Sequence, residues 1–159
     1  QLPRGRLPER AVAQLKTSNR QQIPMTPIRI PRTIVNQILS HAQRSPECEV
    51  CGLISAADGE PKRVYPVANA ASRPGELFRM DPKGQIDAMR SMREADETLF
   101  AIYHSHPCAP AMPSARDLEE ISYPEVLYLI VSLDTQGVLE MRGFRLNAGR
   151  ARDAELEVS

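Results

Sequence analysis

The sequence has few aromatic residues and no excess of charge of either sign. It contains no Trp, only four Tyr and three Phe, and its 20 basic residues balance 20 acidic ones. Nucleic-acid-binding domains usually combine a basic surface with aromatic stacking platforms, so this composition argues against a nucleic-acid partner. Since 42% of the residues are apolar and 25% are charged, an ordinary globular core of aliphatic side chains is expected.

Long hydrophobic runs and cysteine pairs are also lacking. The longest apolar run, 126–133, has the length of a strand, so no membrane span is expected. No apolar segment follows Arg4, Arg6 and Arg10, which argues against a secretory signal. Three cysteines are too few for a disulfide framework and favour a reducing compartment. We therefore expect a cytoplasmic protein.

The chain of 159 residues is long enough for one domain with one core. Residues 1–24 are rich in Gln, Arg and Pro and have little apolar periodicity. They are predicted to be a flexible extension or linker, with a basic arm for a partner as the alternative. The domain itself is predicted to occupy residues 25–159.

Apolar periodicity predicts strands and helices without regular alternation or internal repeats. The predicted strands cover residues 28–30, 50–55, 64–67, 98–103, 126–133 and 138–146. Helices are predicted over 31–44, from Asp81-Pro82 with Ile86, Met89 and Met92 as the apolar face, and over 114–121. The polar tail, 147–159, is predicted to be peripheral. This order favours an α/β or α+β fold with a mixed central sheet flanked by helices.

A possible metal site follows the predicted strand that ends near residue 103. His104 and His106 are two residues apart, so a strand would point both imidazoles to the same face. Asp117 comes 11 residues after His106, near the start of a predicted helix. Two histidines, one carboxylate and an open position are typical of a catalytic zinc site. Ser114 and Asp117 also have the spacing of a helix capping box, which explains them without a metal.

A carboxylate at the start of a buried strand is the second unusual feature. Glu49 lies directly before the apolar run 50–54, where an unpaired charge would be costly. A structural Cys₂His₂ zinc module remains an alternative, with Cys48 and Cys51 joining His104 and His106.

Together these motifs resemble the JAMM signature of MPN-type metallopeptidases. That pattern has an upstream Glu, then H-x-H-P and S-x-x-D, and this chain has Glu49, His104-Ser-His106-Pro107 and Ser114-Ala-Arg-Asp117. The resemblance to the short bacterial branch extends over residues 28–146. It implies an MPN fold, similar in architecture to cytidine deaminases. A non-catalytic MPN-type interaction scaffold is the remaining alternative.

The resemblance also implies a role for each motif residue. His104, His106 and Asp117 would bind one zinc ion per chain, and Glu49 would act as general base towards a zinc-bound water. Ser114 would stabilise the oxyanion. Cys108 lies outside the motif and is expected to be a small loop residue. The Pro-rich loop 107–113 is expected to line the substrate channel.

Relatives of this kind cleave after the Gly-Gly end of ubiquitin-like or sulfur-carrier proteins, and one branch releases cysteine from a carrier–cysteine adduct. The resemblance therefore implies a zinc peptidase or isopeptidase with such a carrier as its partner. Glycines suit a narrow cleft, since they let the backbone approach the metal closely. The oligomeric state is not predicted by any feature of the sequence.

Overall fold

The computed structural model describes residues 26–159, so the prediction for residues 1–24 lies outside the described part of the chain. The helices are α1 (Arg32–Arg44), α2 (Pro82–Glu94) and α3 (Ala115–Glu119). The strands are β1 (Ile28–Ile30), β2 (Cys51–Ala57), β3 (Glu60–Val67), β4 (Thr98–His106), β5 (Leu127–Ser132), β6 (Glu140–Asn147), β7 (Arg150–Ala154) and β8 (Leu156–Val158).

Six strands form the central sheet, in the order β3-β2-β4-β5-β6-β7. The β4–β5 pair is parallel and its other neighbouring pairs are antiparallel. A separate parallel pair joins β1 to β8. The predicted mixed sheet flanked by helices is confirmed.

Each face of the central sheet carries its own hydrophobic cluster because strand side chains alternate between the two faces. The buried side chains of α1 pack against one face, with Ile54, Ala101, Tyr103, Leu127, Leu129 and Val131. The buried side chains of α2 pack against the other, with Leu53, Ile102, Tyr128, Ile130, Phe144 and Leu146. Since His104 and His106 alternate in phase with Ile102, they emerge on the α2 face, beyond the end of its core.

Several local predictions are confirmed. The Asp81 Oδ2 atom accepts a hydrogen bond from the Gly84 backbone N–H at 2.9 Å, which caps α2 as expected. Asp58 and Gly59 have φ angles of 51° and 77° and form the turn between β2 and β3. Strand β3, which contains Pro66, lies at the edge of the sheet, where the missing N–H costs least.

Most of the polar tail, 147–159, is exposed at the edge of the sheet, as expected, but it contains two strands that were not predicted. Residues 150–158 form β7 and β8, and β8 pairs with β1 at the other end of the described chain. The Leu156 side chain fills the space beside Gly143, where a Cβ atom would come within 2.7 Å of it. A short strand with few apolar residues gives little signal in the sequence, because its partner is more than 100 residues away.

The predicted apolar face of α2 is also partly wrong. Met92 is buried and Met89 packs against the core, but Ile86 is 58% exposed and Ala88 is buried instead. Two residues correspond to about 200° around a helix, so Ile86 and Ala88 point in nearly opposite directions. Helix α3 is shorter than the predicted 114–121. Among the described residues, no helix is both long and apolar enough to cross a membrane.

Candidate active site

The C-terminal end of strand β4 places two imidazoles beside each other at the edge of the core. His104 pairs with Cys51 of β2 and with Ile130 of β5, so the strand is held on both sides at this point. Both rings are nearly inaccessible, and their Nε2 atoms are 3.0 Å apart. The predicted same-face arrangement follows from the strand geometry.

Helix α3 brings a carboxylate to this pair. Ser114 caps the helix: its Oγ atom accepts from the Asp117 N–H at 3.1 Å, and Asp117 Oδ2 accepts from the Ser114 N–H at 2.8 Å. This capping box orients the Asp117 side chain. Its Oδ2 atom then lies 3.2 Å from His104 Nε2 and 3.3 Å from His106 Nε2. The capping interpretation and the metal-site interpretation of this motif are therefore compatible.

The separations within this triangle of donor atoms fit a zinc ion. Ligands at about 2.0–2.1 Å from a tetrahedral zinc are about 3.3–3.4 Å from one another, close to the separations above. The Nδ1–H group of His106 donates to the Pro110 carbonyl at 2.8 Å, which leaves the lone pair of Nε2 facing the triangle. Such a backbone partner on the remote nitrogen is common for histidines that bind metals.

Glu49 is the fourth member of the cluster. Its side chain is 6% exposed, its Oε1 atom lies 3.6 Å from His106 Nε2, and its Oε2 atom has no hydrogen-bond partner among residues 26–159. Burial raises the pKa of Glu49 to about 7, with the charge of Asp117 adding to the rise and His106 opposing it. This carboxyl group is therefore poised to exchange a proton near neutral pH.

Two choices of carboxylate are possible for a third ligand. Ligand atoms of Glu49, His104 and His106 also lie within 4.8 Å of one another. Asp117 fits better, because its Oδ2 atom is close to both ring nitrogens whereas Glu49 is 3.6 Å from the nearer one. The greater separation leaves Glu49 beside the triangle instead of within it.

The electrostatics of the triangle suit ligands for a cation. Burial lowers the pKa of His104, which keeps its imidazole neutral. Burial acts in the same direction on His106, but its hydrogen bonds to Asp117 and to the Pro110 carbonyl outweigh it and raise the pKa. Burial opposes ionisation of Asp117, yet hydrogen bonds from the two histidines hold its pKa well below the usual range.

Residues 70–80, here called the strap, form one wall of the site. Phe78 stacks on the His104 ring, with a centroid separation of 4.4 Å and an interplanar angle of 24°. Phe78 and Asn69 are among the residues that carry the family resemblance, but the motif alone indicates no role for either side chain. In the structure, the Asn69 side chain anchors the strap to the backbone of Glu49.

A cavity of about 400 Å³ lies beside His104 and Asp117 of the donor triangle. Its walls combine apolar, aromatic and charged side chains from the strap, β4, α3 and the segment after α3, including Leu77, Phe78, Arg79, Ile102, Ser114, Arg116 and Tyr123. This volume is within the range of small-ligand sites. The strap, and not the expected Pro-rich loop 107–113, supplies much of the lining.

The cysteines do not form the alternative Cys₂His₂ site. The Cys51 thiol donates to the Val67 carbonyl at 3.4 Å, and burial raises the pKa of Cys51 to about 12. A metal ligand must be a thiolate, so such a rise disfavours metal binding. Within residues 26–159, the cluster suited to a metal contains no cysteine. Cys108 is exposed on the loop, as expected of a residue outside the motif.

Comparison with known proteins identifies the family. The family described as prokaryotic homologs of the JAB domain matches residues 31–146. The chain belongs to this family. The resemblance predicted from the motifs is thus confirmed, and the mixed sheet with its flanking helices is the JAB/MPN fold.

Named relatives of this JAB-family chain include peptidases. A CysO-cysteine peptidase of Mycobacterium tuberculosis is 32% identical over 127 residues, which cover 79% of this chain and 86% of that protein. A desampylase of Haloferax volcanii is 36% identical over 106 residues, covering 62% and 76%. The solution structure of protein DSY2949 from Desulfitobacterium hafniense is 30% identical, with a TM-score of 0.74 over 83% of this chain and 92% of that one.

Proposed function

We propose that this JAB-family chain is a zinc-dependent peptidase that hydrolyses the bond after the Gly-Gly end of a ubiquitin-like or sulfur-carrier protein. The observation that carries the proposal is the triangle of His104, His106 and Asp117 donor atoms, 3.0–3.3 Å apart, with buried Glu49 beside it. A cytoplasmic location, expected from the three cysteines, is part of the proposal.

His104, His106 and Asp117 would hold one zinc ion. When bound, zinc would supply Lewis-acid chemistry, which lowers the pKa of a water to about 7 and polarises a carbonyl. The fit of the donor separations and the backbone partner of His106 Nδ1 support this assignment.

Glu49 would act as general base and then as general acid. It would accept a proton from the attacking water and deliver it to the leaving amine, so that no proton is gained or lost over the cycle. A pKa of about 7, caused mainly by burial, supports both roles at neutral pH. Its Oε2 atom has no hydrogen-bond partner within the described residues and is available for such a transfer.

Ser114 would stabilise the oxyanion that forms on the carbonyl carbon. Its Oγ atom already accepts from the Asp117 N–H, so a lone pair is used in the cap while the O–H group is free to donate. Its position on the cavity wall beside His104 and Asp117 supports this role.

The names of the relatives support the substrate class. One is named CysO-cysteine peptidase and another is named desampylase, and both names refer to a cleavage reaction. Glycines next to the scissile bond would let the substrate backbone approach the donor triangle closely, because they have no Cβ atom.

The test uses full-length protein, a zinc assay and two substrates. The wild type should bind one zinc per chain and release cysteine from a CysO–cysteine adduct, or release a ubiquitin-like protein from a lysine side chain. Asp117→Asn keeps the capping acceptor but removes the charge, so it should lose zinc and turnover. Glu119→Gln, an exposed change on the same helix, should retain both.

A chelator should abolish cleavage by the wild type, and added zinc should restore it. The proposal would be wrong if the wild type held no zinc, or if the chelator left cleavage of either substrate unchanged.

A further inference from the structure

The side chain of Asn69 is the centre of a hydrogen-bond network beside Glu49. Asn69 lies two residues after the end of β3 and forms an isolated antiparallel bridge with Met80, which closes the strap. Its Nδ2 group donates to the Glu49 carbonyl at 2.9 Å and to the Leu77 carbonyl at 3.0 Å. Its Oδ1 atom accepts from the N–H groups of Ala71 and Arg79, each at 3.0 Å.

These four bonds join two segments that are distant in sequence. The bonds to Ala71, Leu77 and Arg79 fold the strap around the amide, and the bond to the Glu49 carbonyl attaches the strap to the chain before β2. A second bond acts in the same place: the Glu49 N–H donates to the Pro74 carbonyl at 2.7 Å. Both backbone polar groups of Glu49 are therefore bonded, the N–H to the strap and the carbonyl to Asn69, which precedes the strap.

The carboxylate of Glu49 depends on this backbone anchoring for its position. One of its oxygens is 3.6 Å from His106 Nε2 and the other has no hydrogen-bond partner in the described part of the chain, so hydrogen bonds to the side chain do little to orient it. The strap also presents Phe78, which stacks on His104. The side-chain amide of Asn69 thus connects Glu49, the proposed base, with the strap, whose Phe78 covers the proposed metal ligand His104.

We propose that Asn69 is a positioning residue for the reaction: it fixes the position of the Glu49 carboxylate relative to the Phe78 side chain on the cavity wall. This inference rests on the proposed function, which assigns the base role to Glu49. Asparagine suits the place because its amide offers two donors and an acceptor with two lone pairs, and all are used here. Aspartate at this position would keep the acceptor and lose both donors.

The first test does not depend on catalytic activity. Hydrogen exchange of backbone amides in the metal-free protein is compared between wild type, Asn69→Asp and the exposed control Asn36→Asp on α1. In Asn69→Asp the Ala71 and Arg79 amides should stay protected, while the Glu49 amide should exchange roughly tenfold faster or more, because its bond to the Pro74 carbonyl is then no longer supported by the neighbouring bonds from Asn69 Nδ2 to the Glu49 and Leu77 carbonyls. Unchanged exchange at Glu49 overturns the inference even if the protein cleaves neither substrate.

The second test uses the zinc-loaded enzyme and the CysO–cysteine adduct. Asn69→Ala and Asn69→Asp should lower kcat by roughly 10–100-fold with little change in KM, since misplacement of a catalytic group by less than about 1 Å has effects of this size. Zinc content should remain that of the wild type, as it should in Asn36→Asp. A change confined to KM, or loss of zinc, would contradict a positioning role.

A double-mutant cycle with Glu49→Gln separates positioning from a general structural effect. If Asn69 acts through Glu49, Asn69→Ala should change the residual rate of Glu49→Gln by less than about twofold. Additive losses would show that Asn69 acts independently of the base. A wild type that fails to cleave would refute the proposed function, and the exchange measurement would still decide the role of Asn69.

Discussion

Two buried acids in this protein have opposite environments. The Glu97 side chain is 3% exposed, accepts from the Tyr65 hydroxyl at 2.8 Å and lies 3.5 Å from Arg63. Hydrogen bonds, from Ser55 and Tyr65, lower the pKa of Glu97 despite the opposing effect of its burial. Glu49 is buried without such donors, so burial raises its pKa to about 7. Partnered burial stabilises a charge, whereas unpartnered burial prepares a group for proton transfer.

Replacement of Glu49 by Gln should separate metal binding from turnover. The variant keeps His104, His106 and Asp117, so we expect one zinc per chain, while kcat should fall by about 10²–10⁴-fold because the proton acceptor is gone. Zinc analysis and steady-state kinetics measure the two quantities. Glu47→Gln, in the turn just before, is the matched control and should behave as wild type. Loss of zinc in Glu49→Gln would instead make Glu49 a ligand.

The two roles of Ser114 can also be separated. Ser114→Ala should lose both the helix cap, at about 0.5–2 kcal/mol of stability, and the oxyanion donor, at about 10²–10³ in kcat. Ser114→Asn retains a good capping side chain but lacks the hydroxyl. It should therefore keep the unfolding midpoint of the wild type in urea and still lose turnover. Full activity in Ser114→Asn with normal stability would limit Ser114 to its capping role.

At the scale of elements, the shortest helix and one of the shortest strands depend on contacts with other parts of the structure. Helix α3 has only five residues, too few to be stable alone, and depends on its capping box and on the packing of Leu118 against the core. Strand β8 has three residues and is held by pairing with β1. Neither element would form without its tertiary partners.

The stability of the β1–β8 pair should depend on Leu156. This side chain packs against the cluster on the α1 side and fills the space beside Gly143. We expect Leu156→Ala to lower the free energy of unfolding by about 1–3 kcal/mol, measured in urea, because buried apolar contacts are lost. Glu157→Ala, on the exposed neighbour, should change it by less than about 0.5 kcal/mol. Equal effects of the two changes would exclude a packing role for β8.

For the whole molecule, the site is expected to reduce the stability of the metal-free protein. Glu49 has a pKa of about 7 in the folded state against an ordinary value of 4.5, so the folded state holds its proton more tightly. The corresponding contribution to stability is complete below pH 4.5 and is lost as the pH rises through about 7. A bound cation would offset this loss by binding only the folded state.

Unfolding of the metal-free wild type and Glu49→Gln should therefore be compared at about pH 5 and about pH 8. Gln cannot ionise, so the variant should gain stability over the wild type by on the order of 2–3 kcal/mol on going to the higher pH. Urea unfolding followed by circular dichroism measures the difference, and Glu47→Gln again serves as the control. A stability difference that is independent of pH would contradict the raised pKa of Glu49.

The sequence by itself determined the features that depend on neighbouring residues. The same-face arrangement of His104 and His106 follows from the two-residue period of a strand, and the orientation of Asp117 follows from its capping distance to Ser114. The buried β5 strand and the Asp81 cap were predicted for the same local reasons.

Only the tertiary structure decided which distant residues meet. The pairing of β2 with β4 brings Glu49 close to His106, 57 positions away in the sequence. The strap stacks Phe78 on His104, and β8 pairs with β1. The motif resemblance anticipated the first of these contacts and includes Phe78, but neither the stacking of Phe78 on His104 nor the β1–β8 pairing follows from it. Such contacts depend on strand register and on the closure of long loops, which no periodicity within a short window records.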